Sequence, residues 1–432
     1  MNSLWLDTAN LPSFPALPGS LKTDVLIIGG GIAGVLCAHE LQKRGVDYAL
    51  IEASKICSGT TKCTTAKITA QHGLIYASLF KRLGREKAAL YLRANLQAIE
   101  AYEALAQTID CDFERKDAFV YTQRSPQKIQ EEAAALQLLG YSAHITRETP
   151  LPFPILSALC FAAQAQFHPL KFLAGLAAPL HIYEHTQALE LTGRGVQTNR
   201  GEIQAKKIIV ATHFPIYNRH GFYPIKLYQE RSYVLALKGA QDVGGMYIDE
   251  AKGGLSFRNA DGLLLLGGGA HRTGKKAGGW AALESLAAQY YPQAEIAFRW
   301  ATQDCMPLDN VPYIGPYASG LPGVYVATGF QKWGMSTAML CSQLLADLVT
   351  GRENPYAPVF TPRRSVWHPQ LAANAFETLK NLLTPTRPRC SHLGCALKWN
   401  PAEHTWDCSC HGSRFDEAGA LIDNPAQSDL KL

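Results

Sequence analysis

The stretch Asp24-Val25-Leu26-Ile27-Ile28-Gly29-Gly30-Gly31-Ile32-Ala33-Gly34 decides the fold of this chain. Val25 to Ile28 are apolar without alternation, which is typical of a parallel strand covered on both faces. A helical pattern follows from Val35 to Arg44, and the intervening glycines fill the pattern G-x-G-x-x-G at Gly29, Gly31 and Gly34. The first glycine permits a tight turn, the second lets the backbone approach a pyrophosphate, and the third lets helix and strand pack closely. The stretch therefore predicts a dinucleotide cradle, with the pyrophosphate at the positive end of the helix.

The segment after this helix supplies the context that a glycine pattern alone lacks. Tyr48 to Ile51 form a second predicted strand, and Glu52 follows at its end. An acidic side chain about 20 residues beyond the glycines can accept hydrogen bonds from both ribose hydroxyls. We therefore expect the turn and the strand end to bind the cofactor through Gly29, Gly30, Gly31, Ile32, Ala33, Gly34, Glu52 and Ala53.

The composition is that of a well-buried globular protein. The chain has 432 residues, 47% of them hydrophobic and 18% charged, which suffices for two or three domains and a large cofactor. The net charge of +5 is spread without a basic block, and we interpret Arg363-Arg364 as a solvated linker face, so no nucleic-acid partner is expected. The first residues lack a signal-peptide pattern, and no apolar run is long enough to cross a membrane. We expect a soluble, cytoplasmic protein without membrane insertion.

The eleven cysteines fall into two groups. Four of them lie close together in the sequence, between positions 390 and 410. The other seven are scattered singly, as reduced packing residues are in a protein of this size. These seven are Cys37, Cys57, Cys63, Cys111, Cys160, Cys305 and Cys341.

A run of small hydroxyl residues from Ser58 to Thr69 follows the second strand and is too long for a simple turn. Such a loop can line phosphate and ring, and the alternative is a polar surface loop. Cys63 lies inside it, and we interpret this cysteine as a packing residue rather than a redox or flavin-linked one. The residues expected to contact the cofactor are Thr60, Thr61, Thr64, Thr65 and Ala66.

The middle of the chain contains packing elements and one further cofactor contact. Residues 78 to 109 show helical spacing, residues 117 to 122 form a predicted strand, and His168 is expected to cap or pack against a helix. Lys207 to His213 form a buried strand whose end, Ala211-Thr212, is expected near the dinucleotide. His213 could touch the cofactor or be a structural histidine.

Residues 225 to 300 alternate as an antiparallel sheet does, and this sheet would form a roof over the cofactor. Cationic and polar side chains delivered there are candidates to hold a carboxylate or another anion. The alternative for each is an ordinary surface charge. The candidates for the substrate pocket are Arg231, Tyr233, Arg258, His271, Arg272 and Lys332, and no catalytic base is evident.

A glycine-bounded helix start follows the strand Val324 to Ala327, and its apolar helix extends to Val349. Such a start directs backbone N–H groups and the positive end of the helix dipole at whatever precedes it. For a flavin this would be the pyrimidine edge, where negative charge accumulates on reduction. The residues expected at the cofactor are Gly329, Phe330, Gln331, Lys332, Gly334 and Met335.

Taken together, the cradle, the threonine-rich loop, the Ala-Thr strand and the Gly-Phe-Gln-Lys-Trp-Gly helix start resemble the FAD domain of the D-amino acid oxidase/glycine oxidase superfamily. The resemblance covers residues 1 to about 360 and implies an α/β, Rossmann-like FAD-binding domain with an interposed α+β substrate domain. It also implies hydride abstraction from a carbon next to nitrogen. The FAD-binding domain is expected at 1–77, 165–220 and 301–365, and the substrate domain at 78–164 and 221–300.

Four cysteines and two histidines form the strongest motif of the chain. Cys390-x-His392 is followed, after fifteen intervening residues, by Cys408-x-x-His411. A Rieske [2Fe–2S] centre needs two thiolates on one iron and two imidazoles on the other, and two such loops supply them. Tetrahedral zinc is the alternative, although zinc modules rarely use a one-residue gap.

The second half of this motif, Cys-His-Gly-Ser-Arg-Phe, resembles Rieske proteins of the cytochrome bc type. The resemblance places the remaining pair, Cys395 and Cys410, where those proteins carry a disulfide that joins the loops. The module at 390–432 is abbreviated, because a linker at 366–389 with a helix-like stretch, Leu371 to Leu383, leads almost directly to the first ligand.

The sequence thus predicts an FAD-dependent oxidoreductase that oxidises a small amine or amino-acid-like substrate and passes electrons to a Rieske cluster. An external electron acceptor or donor would be its partner. Two alternatives stay open, namely electron flow from the cluster to the flavin and a redox sensor without turnover.

Overall fold

The structure is a computed structural model that describes residues 3–365 and 367–431. Its helices are α1 (Leu4–Asp7), α2 (Ile32–Lys43), α3 (Tyr76–Ala106), α4 (Pro126–Leu138), α5 (Pro169–Ala177), α6 (Tyr223–Lys226), α7 (Gly279–Tyr290), α8 (Gly334–Val349), α9 (Ala357–Phe360) and α10 (Pro369–Leu383), with a 3₁₀ turn at Thr60–Cys63. No helix in these two ranges is both long and apolar enough to span a bilayer.

The strands of the flavoprotein body are β1 (Leu21–Ile28), β2 (Tyr48–Ile51), β3 (Lys67–Ile68), β4 (Glu114–Thr122), β5 (His144–Thr146), β6 (Ser157–Gln166), β7 (Ile182–Tyr183), β8 (Ala188–Thr192), β9 (Gly195–Thr198), β10 (Gly201–Val210), β11 (Leu227–Lys238), β12 (Met246–Asp249), β13 (Ser256–Ala260), β14 (Leu263–Arg272), β15 (Glu295–Pro307), β16 (Tyr313–Pro316) and β17 (Val324–Thr328). Those of the C-terminal module are β18 (Leu397–Asn400), β19 (Thr405–Cys408), β20 (Arg414–Phe415) and β21 (Leu421–Asp423).

The first sheet is organised around β1, as the opening sequence predicts. Its main order is β16-β17-β10-β1-β2-β7, with β8 and β9 beside β10. Strand β1 is parallel to both neighbours, and Ile28 pairs with Val210 on one side and with Ile51 on the other. The three strands therefore end level, and their carboxyl ends form one edge where a ligand can bind.

The second sheet has the order β15-β11-β14-β13-β12-β4-β6-β3, with β5 beside β6. It is antiparallel except where β12 runs parallel to β4. Its long strand β11 pairs with both β14 and β15, so this part of the sheet is continuous over the cavity described below. The C-terminal module adds a four-stranded sheet, β18-β19-β20-β21.

Several local expectations are refined by the structure. Helix α3 begins at Tyr76 and contains a kink at Gly84, whose φ of +79° is accessible to glycine. His168 caps α5, because its side chain accepts a hydrogen bond from the backbone N–H of Lys171, so the predicted capping role is confirmed.

The prediction that Arg363-Arg364 forms a solvated linker face is wrong for Arg364. Its guanidinium donates to Asp309 at 2.7 Å and lies 3.9 Å from the ring centroid of Tyr313. A carboxylate supplied by a distant loop makes this arginine a structural anchor, whereas Arg363 is exposed.

Candidate functional site

The glycine turn between β1 and α2 has a different steric requirement at each glycine. Gly29 has φ of +111°, and a Cβ there would lie 2.6 Å from the carbonyl oxygen of Ala211. A Cβ on Gly34 would lie 1.9 Å from the carbonyl oxygen of Gly29, so helix and strand pack too closely for any side chain. A Cβ on Gly31 would meet only the hydroxyl of Thr61, at 3.4 Å. Gly31 thus faces open space, as the glycine against a pyrophosphate must.

Glu52 braces this turn from the end of β2. One carboxylate oxygen accepts from the backbone N–H of Gly30 at 2.7 Å, and the other accepts from that of Ser54 at 2.9 Å. Burial raises the pKa of Glu52, while these backbone hydrogen bonds act in the opposite direction. An ionised carboxylate has about four acceptor positions, so it retains acceptor capacity toward the cavity.

A cavity of about 1350 Å³ lies between the edge of the first sheet, the second sheet and the C-terminal module. Typical small-molecule pockets measure about 300–1,000 Å³, so this one has room for a dinucleotide together with a substrate. It is lined by most residues predicted to bind the cofactor: Gly29, Gly31, Ile32, Ala33, Glu52, Ala53, Thr60, Thr61, Thr64, Thr65, Ala211, Thr212, Gly329, Phe330, Gln331, Lys332, Gly334 and Met335. Gly30, Gly34 and Ala66 lie behind this lining.

The hydroxyl-rich loop folds over the start of α2. Thr61 accepts a hydrogen bond from the backbone N–H of Ile32 at 3.1 Å. Two tryptophan rings also fix the loop by donating hydrogen bonds to its carbonyls: Trp5 to Thr64 at 2.8 Å and Trp300 to Cys63 at 2.9 Å. Burial raises the pKa of the Cys63 thiol, which favours its protonated form, and Cys63 packs against the hydrophobic core.

The predicted anion-binding arginines do not line the cavity, which differs from the sequence expectation. Arg258 donates to the carbonyls of Thr65 and Ala66, at 2.8 and 2.7 Å, and so supports the hydroxyl-rich loop from behind. His271 is turned toward the carbonyl of Gly269 at 2.9 Å.

Arg231 and Arg272 instead hold the C-terminal module. Arg231 forms a two-pronged ion pair with Glu403, and Arg272 donates to the carbonyls of Ser409 and Cys410 at 2.8 and 2.9 Å. A buried guanidinium requires hydrogen-bond acceptors, and for both arginines the C-terminal module supplies carboxylate or carbonyl oxygens. Of the six candidates, the cavity is lined by Tyr233 and Lys332.

Lys67 is a cavity residue that the sequence reasoning missed. Its ammonium donates to the hydroxyls of Thr65 and Ser256, at 3.2 and 3.3 Å, and burial lowers its pKa to about 7 with a further contribution from Arg258. Among the described residues no carboxylate pairs with it, whereas Lys332 lies 3.2 Å from Asp304 and 3.6 Å from Glu230. Its position within the hydroxyl-rich run from Ser58 to Thr69 is the sequence signal that could have found it.

The two cysteine–histidine loops converge in the C-terminal module. Each closes with the same turn, in which a glycine N–H donates to the carbonyl of the first cysteine of the loop at 2.9 Å: Gly394 to Cys390 and Gly412 to Cys408. The rings of His392 and His411 lie with centroids 5.0 Å apart. Hydrogen bonds from the neighbouring thiols lower the pKa of Cys408, which favours a thiolate at the centre of the group.

The histidines fit a metal centre, because their ring nitrogens are buried without a hydrogen bond of normal geometry. Buried polar atoms are otherwise almost always paired, so unpaired ring nitrogens on both histidines indicate that each ring can bind a metal ion. The second cysteine pair lies at the same place, since the sulfurs of Cys395, Cys408 and Cys410 are within 4.8 Å of one another and all are free thiols.

One segment of the flavoprotein body connects the cavity with these histidines. His213 lines the cavity, and the ring of Phe214 lies edge-on to His411 and His392, with centroid distances of 6.1 and 6.3 Å. The side-chain amide of Asn424, from the module, donates to the carbonyls of Thr212 and Phe214 on either side of His213. The edge of the module that carries His392 and His411 thus lies against the flavoprotein body.

Comparison with known families agrees with this geometry. Residues 24–348 match the model of the FAD dependent oxidoreductase family, and residues 376–432 match that of the Rieske [2Fe-2S] domain. The chain belongs to the FAD-dependent oxidoreductase family. The predicted family, α/β fold class and cofactors, FAD and a Rieske-type [2Fe–2S] cluster, are therefore confirmed.

Individual relatives of this FAD-dependent oxidoreductase match either nearly the whole chain or about four fifths of it. The putative Rieske 2Fe-2S iron-sulfur protein YhfW of Bacillus subtilis is 36% identical over 99% of this chain and 96% of its own length. Glycine oxidase from Geobacillus kaustophilus superposes with a TM-score of 0.68 at 20% identity, covering 80% of this chain and 99% of its own. L-proline dehydrogenase from P. horikoshii gives 0.66 at 18% identity, covering 81% and 98%. About a fifth of this chain has no counterpart in either solved structure.

Proposed function

We propose that this oxidoreductase oxidises an amine or amino-acid-like substrate by hydride transfer to FAD and passes the electrons singly, through its Rieske cluster, to an external acceptor. The observation that carries the proposal is the segment 211–214, which lines the FAD cavity at one end and touches both cluster histidines at the other. Rieske potentials of about −150 to +300 mV favour this direction of flow.

We infer that the glycine turn, Glu52 and the hydroxyl-rich loop hold the dinucleotide. Gly31 leaves space for the pyrophosphate, and Glu52 offers acceptor positions to the ribose. The start of α8 at Gly334 presents backbone N–H groups and the positive end of the helix dipole to the cavity. In the module, Cys390, Cys408, His392 and His411 are the proposed cluster ligands.

The substrate is proposed to carry an anionic group held by Lys67. This ammonium is a cavity cation without a carboxylate partner among the described residues, whereas Lys332 is neutralised by Asp304 and Glu230. The names of the two solved relatives, glycine oxidase and L-proline dehydrogenase, support an amino-acid-like substrate. The eleven free cysteines support a reducing, cytoplasmic location.

The geometry favours turnover over a sensor without substrate, because the cavity of about 1350 Å³ is larger than typical small-molecule pockets of about 300–1,000 Å³. Anaerobic addition of candidate amines and amino acids to the purified holoprotein tests the proposal. At least one is expected to bleach the flavin absorbance, and the Cys408→Ser variant should still bleach while transfer to an acceptor stops. Full acceptor turnover by Cys408→Ser, or zinc in place of iron, would overturn the proposed route.

A further inference from the structure

Helix α10 is inverted relative to a normal amphipathic helix. Its inward face is polar: Asn374, Glu377 and Asn381 are 1%, 8% and 2% exposed. Asn374 accepts from Arg272 at 2.8 Å, and Glu377 accepts from Lys275 at 2.6 Å and from the hydroxyl of Ser409 at 3.0 Å. The helix is thus fixed to the protein by hydrogen bonds and ion pairs, with its polar stripe directed inward.

The outward face of α10 is apolar. Phe376, Leu379 and Leu383 follow one another at helical spacing and are 68%, 57% and 73% exposed, and Trp367, just before the helix, is 88% exposed. Single exposed apolar residues are common on protein surfaces, but a contiguous apolar patch marks a docking site. Because the inward contacts fix the orientation of the helix, this stripe stays exposed in the folded protein.

The charges around the stripe are positive. Between positions 363 and 398 the chain has six arginines and lysines, at 363, 364, 380, 387, 389 and 398, of which Arg364 is paired with Asp309, and one acidic residue, Glu377. That acid is buried and neutralised by Lys275, while Arg363, Lys380 and Arg387 are exposed. An apolar stripe with tryptophan and a purely cationic flank is the pattern of helices that lie in the interface of an anionic membrane.

We propose that α10 docks this protein on the surface of an anionic lipid membrane, with Phe376, Leu379 and Leu383 facing the acyl chains and Lys380 and Arg387 facing the headgroups. The helix lies on the bilayer and does not span it. A second copy of the chain fits less well, because pairing two α10 faces would bring their cations together. The inference goes beyond the proposed function and does not depend on it.

The experiment is vesicle sedimentation of the full-length holoprotein with phosphatidylglycerol–phosphatidylcholine vesicles and with vesicles of phosphatidylcholine alone. The protein is expected to bind the anionic vesicles preferentially. The variant Leu379→Gln/Leu383→Gln should bind at least tenfold more weakly, since it removes two apolar side chains from the interface. Lys380→Glu should lose about fivefold or more, the effect of one cation near such a surface.

The matched control is Leu138→Gln/Ile145→Gln, which removes two exposed apolar residues of the body and should bind as the parent does. All four positions are exposed, so folding should be retained, and circular dichroism checks this. Absence of binding to anionic vesicles, or equal binding by both double variants, would overturn the proposal. A dimer in light scattering that Leu379→Gln/Leu383→Gln converts to a monomer would assign the face to a second copy and also overturn it.

Discussion

Replacing Arg231 with leucine tests how firmly the Rieske domain is held against the flavoprotein body. Burial raises the pKa of Glu403, but its hydrogen bond and charge interaction with Arg231, together with the charge of Arg414, outweigh burial and lower the pKa to about 2. Each tenfold change in proton affinity corresponds to about 1.4 kcal/mol, so lowering the pKa from 4.5 to about 2 represents a few kcal/mol of stabilisation of the ionised carboxylate. Arg231 is one of two arginines on Glu403, and loss of its charge-assisted hydrogen bonds should cost about 2 kcal/mol, which corresponds to roughly 20-fold or more in an opening equilibrium.

Hydrogen–deuterium exchange of β19 and β20 measures this opening. Arg231→Leu is expected to raise exchange there by roughly 20-fold, while Arg115→Leu, which removes a more exposed ion pair with Glu100 and Glu103, should have little effect. Because the pKa of Glu403 is lowered on folding, its contribution is present above pH 4.5 and is lost as the pH falls toward 2. Acidification below pH 5 should therefore increase exchange more in the parent than in the variant. Equal exchange in parent and Arg231→Leu would refute the reasoning.

Three further predictions concern the glycine turn, Lys67 and Phe214. Gly31→Val should fold with a normal melting temperature but purify without FAD. The control Gly34→Val should fail to fold, because its Cβ would lie 1.9 Å from a carbonyl oxygen. Stoichiometric FAD in purified Gly31→Val would contradict the predicted dinucleotide cradle. Lys67→Met should raise KM for an anionic substrate about tenfold or more, as loss of a charge-assisted hydrogen bond does. Because burial lowers the pKa of Lys67 to about 7, the substrate affinity of the parent should fall as the pH rises through 7. The substrate affinity of Lys67→Met should not change over this pH range. Flavin-bleaching titrations measure both affinities. Phe214→Leu should slow cluster reduction in stopped-flow experiments without changing the rate of flavin bleaching, and an unchanged rate would place the route elsewhere.

The parts of the site that the sequence predicts are those whose cause is local. The close approach of Gly34 to the carbonyl oxygen of Gly29 lies within the turn itself. The candidate cluster residues lie in two short loops with diagnostic spacing. In both cases residue type and spacing determine the chemistry.

The parts that could not be predicted depend on distant partners. The sequence makes Arg231 a candidate to bind a substrate anion, but in the structure Arg231 pairs with Glu403, which is 172 residues away along the chain. Arg272 likewise donates to the carbonyl of Ser409, 137 residues away. The pattern of α10 shows two faces but not which one is buried. That choice follows from the hydrogen bonds of Asn374 and Glu377, which override the usual inward placement of apolar residues.

Single-turnover mixing of the holoprotein with a bleaching substrate, without oxygen, tests most directly whether FAD and cluster form one electron path. Flavin absorbance and the Rieske signal in freeze-quenched electron paramagnetic resonance are followed on the same sample. The contact of Phe214 with both cluster histidines predicts that the cluster becomes reduced as electrons leave the flavin, at one common rate. A flavin that stays reduced beside an oxidised cluster would contradict the account.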